Sequence, residues 1–342
     1  MTSSGEQIER FDCFGSSCSV LVDGADGMRS AREAVLGARR SLERWHERFS
    51  RFEPGSELSL LNADRRIVVP ASGLLVRLAA AVRFAGELSG GLVDATLLEQ
   101  IERAGYADDL AETLALGDTL ALASERKAAA ASGAAGWRRV AADARGGTIT
   151  RPPGVRIDGG GLAKGVFADV LAERLAGHAG FAVDCAGDLA LGGRAQPTRR
   201  VHVESPFDAS VLHTFELDRS GVATSGITRR SWLAADGRSA HHLLDPATGM
   251  PAFTGIVQST ALAPSALEAE VRAKAALLSG PSAARSWLRY GGVVVFEDGS
   301  HEVHEPPQRV TLEQLSGFSG ARAQPAPNRA DSCEPPVASP SL

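Results

Sequence analysis

Residues 155–175 read VRIDGGGLAKGVFADVLAERL. Val155 and Ile157 alternate with Arg156 and Asp158, the pattern of a half-buried strand. Four glycines follow within seven residues, Gly159, Gly160, Gly161 and Gly165. Val166, Phe167, Val170, Leu171 and Leu175 then recur at helical spacing. The stretch is therefore expected to be a strand, a glycine turn and a helix, with Lys164 at the helix entrance. Two readings of the turn stand side by side. In one, the glycines only supply positive φ for a tight connection. In the other, bared backbone N–H groups at the positive end of a helix receive a phosphate. A Walker A loop is excluded, because Ala163 stands where Gly must precede Lys and Gly165 where Ser or Thr would hold magnesium.

The surrounding chain has 342 residues, 44% hydrophobic and 23% charged, which suits a globular protein with a real core. A net charge of −5 gives no general affinity for nucleic acid or anionic membranes. No apolar run approaches a membrane span, and the polar start MTSSGEQIER has no signal-peptide pattern, so a cytoplasmic protein is expected. Cys13, Cys18, Cys185 and Cys333 are too scattered for a disulfide framework or a paired zinc motif.

Early helices and later strands imply an α+β fold. Residues 10–23 read as one broken strand. Helices are expected at 28–49, with Val35, Ala38, Leu42, Trp45 and Phe49 as its apolar stripe, at 73–88 and within 89–106. Ser56 is positioned to cap a short helix. Residues 137–140 and 148–150 read as a hairpin. Strands are expected at 181–193, 200–205, 213–218, 221–226, 255–264 and 291–299, and a helix at 265–280 closed by Gly280. The domain reading is a flexible N-terminus at 1–9, one domain at 10–307 with an Ala-rich, mobile segment at 108–136, and a Pro-rich disordered tail at 308–342.

Several residues carry chemistry or a plainer role. His241 and His242 alternate on a strand end, so they face opposite ways and do not share a metal. One can serve as a base or simply as a hydrogen-bonded structural residue. Asp94, ahead of a helix, is either an N-cap or an acceptor for a nucleoside. Arg51 and Phe52 offer a cation for phosphate and an aromatic face, or a solvated Arg beside a core Phe. Glu270 and Lys274 form an i,i+4 pair, with Lys274 at the edge of a buried stripe formed by Leu267, Val271 and Leu278. No Ser-His-Asp triad, GxSxG, HExxH or paired CxxC is present, so any nucleophile comes from the substrate.

Six of these motifs, SRFEPGSELSLLN, GGLVDATLLEQIERAGY, IDGGGLAKGVFADVLAERL, VDCAGDLALGG, VATSGITRR and HHLLDPATGMPA, occur in an order that resembles the ApbE family of FAD:protein FMN transferases. The resemblance implies a T-fold-like α+β architecture, with mixed or antiparallel sheets and packed helices around an FAD cleft. It implies that FAD is split at its pyrophosphate. FMN would pass to a Thr or Ser hydroxyl of a target protein, and AMP would leave. It makes Lys164, Gly160 and Gly161 phosphate contacts, Asp94 an adenosine contact, His242 a base, Phe14, Arg51 and Phe52 flavin neighbours, and Thr228 a cofactor contact. It places Mg2+ on Ala163 and Glu270.

Three positions depart from the family pattern. Phe14-Gly15-Ser16 stands for Met-Gly-Thr, Thr228 stands where an aromatic is usual, and Glu270 with Lys274 stands for an Asp-x-x-x-Thr metal motif. An ammonium cannot ligate magnesium, so Lys274 is expected to replace the ion in part or whole. The alternatives are a shifted ion or impaired transfer. Competing functions are an FAD pyrophosphatase and a non-catalytic FAD-binding protein.

Overall fold

The computed structural model describes residues 5–108 and 113–307. The expectations for residues 1–4 and for the tail at 308–342 lie outside the described residues. The centre is an eight-stranded antiparallel sheet that the chain crosses in sequence order. Numbering only the strands of this sheet, they are β1 (Gln7–Cys13), β2 (Ser16–Asp23), β3 (Gly180–Cys185), β4 (Asp188–Gly192), β5 (Ser220–Gly226), β6 (Ile256–Ala263), β7 (Gly292–Phe296) and β8 (His301–His304). The sheet is open, with β1 and β8 at its edges. The α+β expectation with antiparallel pairing holds.

Residues 7–9, expected to be flexible, begin β1 and pair with Val22, Leu21 and Val20 of β2. The single strand expected at 10–23 is a hairpin. Its two-residue turn, Phe14 (φ 57°) and Gly15 (φ 68°), has both residues left-handed, which matches the twist of the flanking strands. The stretch at 181–193 is likewise two strands, turned at Ala186 (φ 56°) and Gly187 (φ 96°).

Between β2 and β3 the chain inserts six helices: α1 (Ala31–Phe49), α2 (Glu57–Ala63), α3 (Gly73–Leu88), α4 (Leu98–Arg103), α5 (Leu116–Ala121) and α6 (Ala163–Leu175). Ser30 and Glu33 form a capping box on α1, whose stripe of Val35, Ala38, Leu42, Trp45 and Phe49 is buried. Ser56 caps α2 as expected. The expected hairpin near 137 is displaced, because Gly136–Arg139 is a 3-10 turn and Ala141–Asp143 supplies the arm that pairs with Thr148–Thr150.

Residues 155–157 do not join any sheet. Val155 and Ile157 still point inward, but the strand partner is a side chain. Asn62 donates through Nδ2 to the Ile157 carbonyl (2.8 Å) and accepts through Oδ1 from the Ile157 N–H (2.8 Å). Of the Ala-rich segment expected at 108–136, residues 109–112 lie outside the described residues, and 113–136 is hydrogen-bonded to the rest of the fold. Lys127, Ala129 and Ala130 donate backbone N–H groups to the Phe253 carbonyl, the Leu278 carbonyl and Asp245 Oδ1. This strap grips the loop that follows His242.

After β6 come α7 (Ala266–Ser279) and α8 (Pro281–Trp287). Helix α7 packs on β5, β6 and α6, and every residue of β6 is buried. Asp169 of α6 accepts from the first two N–H groups of α7, Ala266 (2.8 Å) and Leu267 (3.0 Å), while Ser265 Oγ takes the third, from Glu268. These donors have no partner within their own helix. Asp169→Ala is therefore expected to cost about 2 kcal/mol, the range for a lost charged hydrogen-bond acceptor. A thermal melt should show the midpoint drop by several degrees.

Candidate active site

One cleft of about 590 Å³ opens where α1, the α6 entrance and the loops at 92–97, 229–230 and 242–244 meet. That volume lies in the usual range for a ligand site. Lys164, Gly160, Gly161, Asp94, His242, Arg51, Phe52, Phe14 and Ala163 all line it, as does Lys274. Thr228 does not line it; its neighbours Arg229 and Arg230 do. Glu270 is fully buried behind the wall.

None of Gly159, Gly160, Gly161 or Gly165 has positive φ, so the tight-connection reading of these glycines is wrong. Gly159–Gly161 form a 3-10 turn, and Asp158 Oδ1 accepts the Gly160 N–H at 3.0 Å. Gly165 lies at a close approach of α6 to α7. A Cβ there would sit 2.8 Å from the Leu267 Cα and 2.8 Å from Glu270 Oε2.

Two ion pairs stand side by side at the α6 entrance. Lys164 Nζ is 2.6 Å from Asp188 Oδ2, and Lys274 Nζ is 2.7 Å from Glu270 Oε1. Both carboxylates are buried, with side chains 1% exposed, whereas the lysines keep 17% and 12% exposure. Burial opposes the Lys164 charge, but the Asp188 and Glu270 carboxylates outweigh it and raise its pKa. The second oxygen of Glu270 accepts the Gly165 N–H at 3.1 Å.

This donor set does not fit the magnesium expected on Ala163 and Glu270. One Glu270 oxygen is bound to an ammonium and the other to a backbone N–H. The ammonium offers no lone pair and repels a dication. Among the described residues no group of three or more His, Cys, Asp or Glu is placed to hold a metal.

Asp94 is not a helix cap. Helix α4 starts beyond Leu97 without a side-chain cap, and Asp94 Oδ1 accepts from Thr96 N (2.8 Å) and Thr96 Oγ1 (2.5 Å). Burial raises its pKa against those two bonds. Arg51 is not solvated. Its guanidinium lies 4.2 Å from the Phe52 ring centroid and 4.5 Å from that of Tyr106, and it donates to the Tyr106 carbonyl at 2.7 Å. Arg51 thus builds a wall of Phe52, Tyr106 and Trp232. Phe14, at the strained tip of its hairpin, packs on His46 and Phe167.

His241 and His242 diverge as their alternation requires. His241 is buried edge-on against Phe253, and His242 faces the cleft. Burial drives His241 down to about 3. Burial, then the nearby Arg230, His241 and Lys274, hold His242 well below the ordinary imidazole range. His242 Nδ1 is buried with no hydrogen-bond partner among the described residues. Asp245 fixes the loop, accepting from Ala130, Ala247 and Thr248.

Both depressed imidazoles stay neutral in the fold, while the unfolded chain protonates near 6.5. Their contribution to stability is therefore complete above pH 6.5 and is lost as pH falls below it, down to about 3 for His241. Each costs about 1.4 kcal/mol per pH unit in that window. Thermal melts between pH 7 and 4 should show this decline, and His241→Asn should remove one proton's share of the slope.

Tyr106, Arg229, Arg230, Asp188 and Trp45 escaped the sequence reading. Only VDCAGDLALGG held a usable signal: its Asp188 begins a strand directly after a glycine turn. Trp45, read only as part of the α1 stripe, reaches the cleft from that helix, and Tyr106, Arg229 and Arg230 reach it from loops.

A family model described as the ApbE family matches residues 14–296. An Escherichia coli K12 protein named FAD:protein FMN transferase is 30% identical over 151 residues, 42% of either chain. A Treponema pallidum protein of the same name is 29% identical over 150 residues, 40% of this chain and 41% of that one. The matches span about two fifths of the length of these curated relatives. Among solved structures, an ApbE protein from Thermotoga maritima superposes with a TM-score of 0.70 at 24% identity, covering 88% of this chain and 97% of that one. The apo flavinyl transferase ApbE of Pseudomonas stutzeri gives 0.68 at 20% identity, covering 93% and 98%. The fold is thus that of the ApbE structures.

Proposed function

The chain belongs to the ApbE family, and on that premise we propose that it transfers FMN from FAD to a hydroxyl of a target protein. One observation carries this reading: Lys164, Asp94 and His242, distant in sequence, line a single cleft. The curated relatives' shared name, FAD:protein FMN transferase, supports it.

Phosphoryl transfer asks of a protein mainly position and charge. The FAD pyrophosphate lies against the Gly160–Gly161 turn and Lys164. Asp94, its carboxylate already oriented by Thr96, accepts from the adenosine end. The aromatic wall of Phe52 and Tyr106, together with Phe14, borders the flavin. Neutral His242 takes the proton of an acceptor Thr or Ser hydroxyl. Its oxygen bonds to the phosphorus on the FMN side, the bridging P–O bond breaks, and AMP leaves with the electron pair. No step here runs through a metal.

Incubation with FAD and a threonine-bearing acceptor peptide tests the proposal. Flavin fluorescence should appear covalently on the peptide with one AMP released per label. Free FMN and AMP without labelled peptide would mean hydrolysis instead, and unchanged FAD would overturn catalysis.

A further inference from the structure

The two ion pairs behind the cleft wall have a shared design. Each ammonium reaches the cleft, and each rests on a buried carboxylate. Lys164 projects from the first turn of α6 and Lys274 from α7. The helices are locked by the close approach at Gly165, whose N–H also ties down Glu270. Neither lysine can swing away without stranding a buried carboxylate. The result is two fixed positive charges facing the place where the Gly160–Gly161 turn opens.

A divalent ion at a diphosphate supplies two charges of the same sign in a fixed position. Here both oxygens of Glu270 are already engaged, one by the Gly165 N–H and the other by the Lys274 ammonium. We infer that Lys274 is a built-in cation that, with Lys164, binds the diphosphate of FAD without a divalent metal. This rests on the flavin-transfer reading for the identity of the ligand, but its evidence is the charge cluster itself. Because the ammonium is tethered, chelators cannot remove it. The site then binds its dinucleotide equally well whatever the free magnesium level.

FAD binding, read by flavin fluorescence quenching, tests this without any transfer step. The full chain is titrated with FAD in EDTA and again in excess Mg2+. The dissociation constant should agree within about twofold. The double variant Glu270→Gln/Lys274→Met, which removes both charges of the pair together, should weaken binding at least tenfold in either buffer. The variant Glu270→Asp/Lys274→Thr returns oxygen donors to the position, so its binding should become tighter on adding Mg2+. Binding by the native chain that collapses in EDTA and returns with Mg2+ would overturn the inference. So would native-like binding by Glu270→Gln/Lys274→Met with a normal melting curve. If FAD binds as expected but no acceptor is labelled, the transferase reading fails and this inference stands.

Discussion

His242→Ala is expected to slow FMN transfer by about 10²–10⁴-fold, the usual worth of a positioned general base, while FAD still binds. Three features of the residue argue for so large an effect. It faces the cleft from a loop anchored by Asp245, which ties it to the strap at 113–136. Its Nδ1 is buried without a partner among the described residues, so it is not committed to holding the fold. Burial and the adjacent cations Arg230 and Lys274 keep it neutral, with a lone pair free to take a proton, and make it a weaker base than a free imidazole. The depressed pKa has a second consequence. An ordinary imidazole base loses activity as pH falls through 6.5; this one should keep its transfer rate well below that. Single-turnover transfer at pH 6 and 8, together with equilibrium FAD binding, separates these effects. A variant that transfers at the native rate would remove His242 from the mechanism.

Gly165→Ala is expected to destabilise the fold by about 2–3 kcal/mol, and Gly165→Val by more, as overpacking between rigid elements does. The atoms in the way are backbone: Leu267 Cα at 2.8 Å and Leu267 N at 3.0 Å, with Glu270 Oε2 also at 2.8 Å. A helix backbone cannot rotate aside as a side chain can. Relief must come from parting α6 and α7, which breaks the Gly165 N–H bond to Glu270 and shifts Lys274 from its place. Stability and FAD affinity should therefore fall together. Gly161→Ala is the matched control, since a Cβ there meets nothing within 4 Å and its φ is not positive. Its melting point should stay near the native value. Equal melting curves for the two alanine variants would refute the close-approach account.

The stretch at 155–175 shows where legibility ended. Its helix was readable because five apolar residues recur at helical spacing, and spacing is a local property. Helices α1, α3 and α7 were readable for the same reason and α2 from its Ser56 cap, whereas Ser30 and Ser265, which cap α1 and α7, fall inside the spans expected for those helices. The divergence of His241 and His242 followed from the two-residue period of a strand. The order of six short motifs pointed to the family, and with it to Asp94, Lys164 and His242, which line the cleft. The role of each glycine was not readable. Gly161 and Gly165 look alike in sequence, and only the position of Leu267, a hundred residues later, separates them. The strand expected at Val155–Ile157 failed because its partner is the Asn62 amide, an alternative that periodicity cannot register.

By itself, then, the sequence determined the local elements, the family and the identity of the charged groups, because these depend on residue type and short spacing. Only the tertiary structure decided that Thr228 stays off the cleft, that Arg51 is spent on Tyr106, and that Glu270 is closed on both oxygens. Those outcomes depend on which distant atoms fill a group's hydrogen-bonding capacity, and that is fixed by packing.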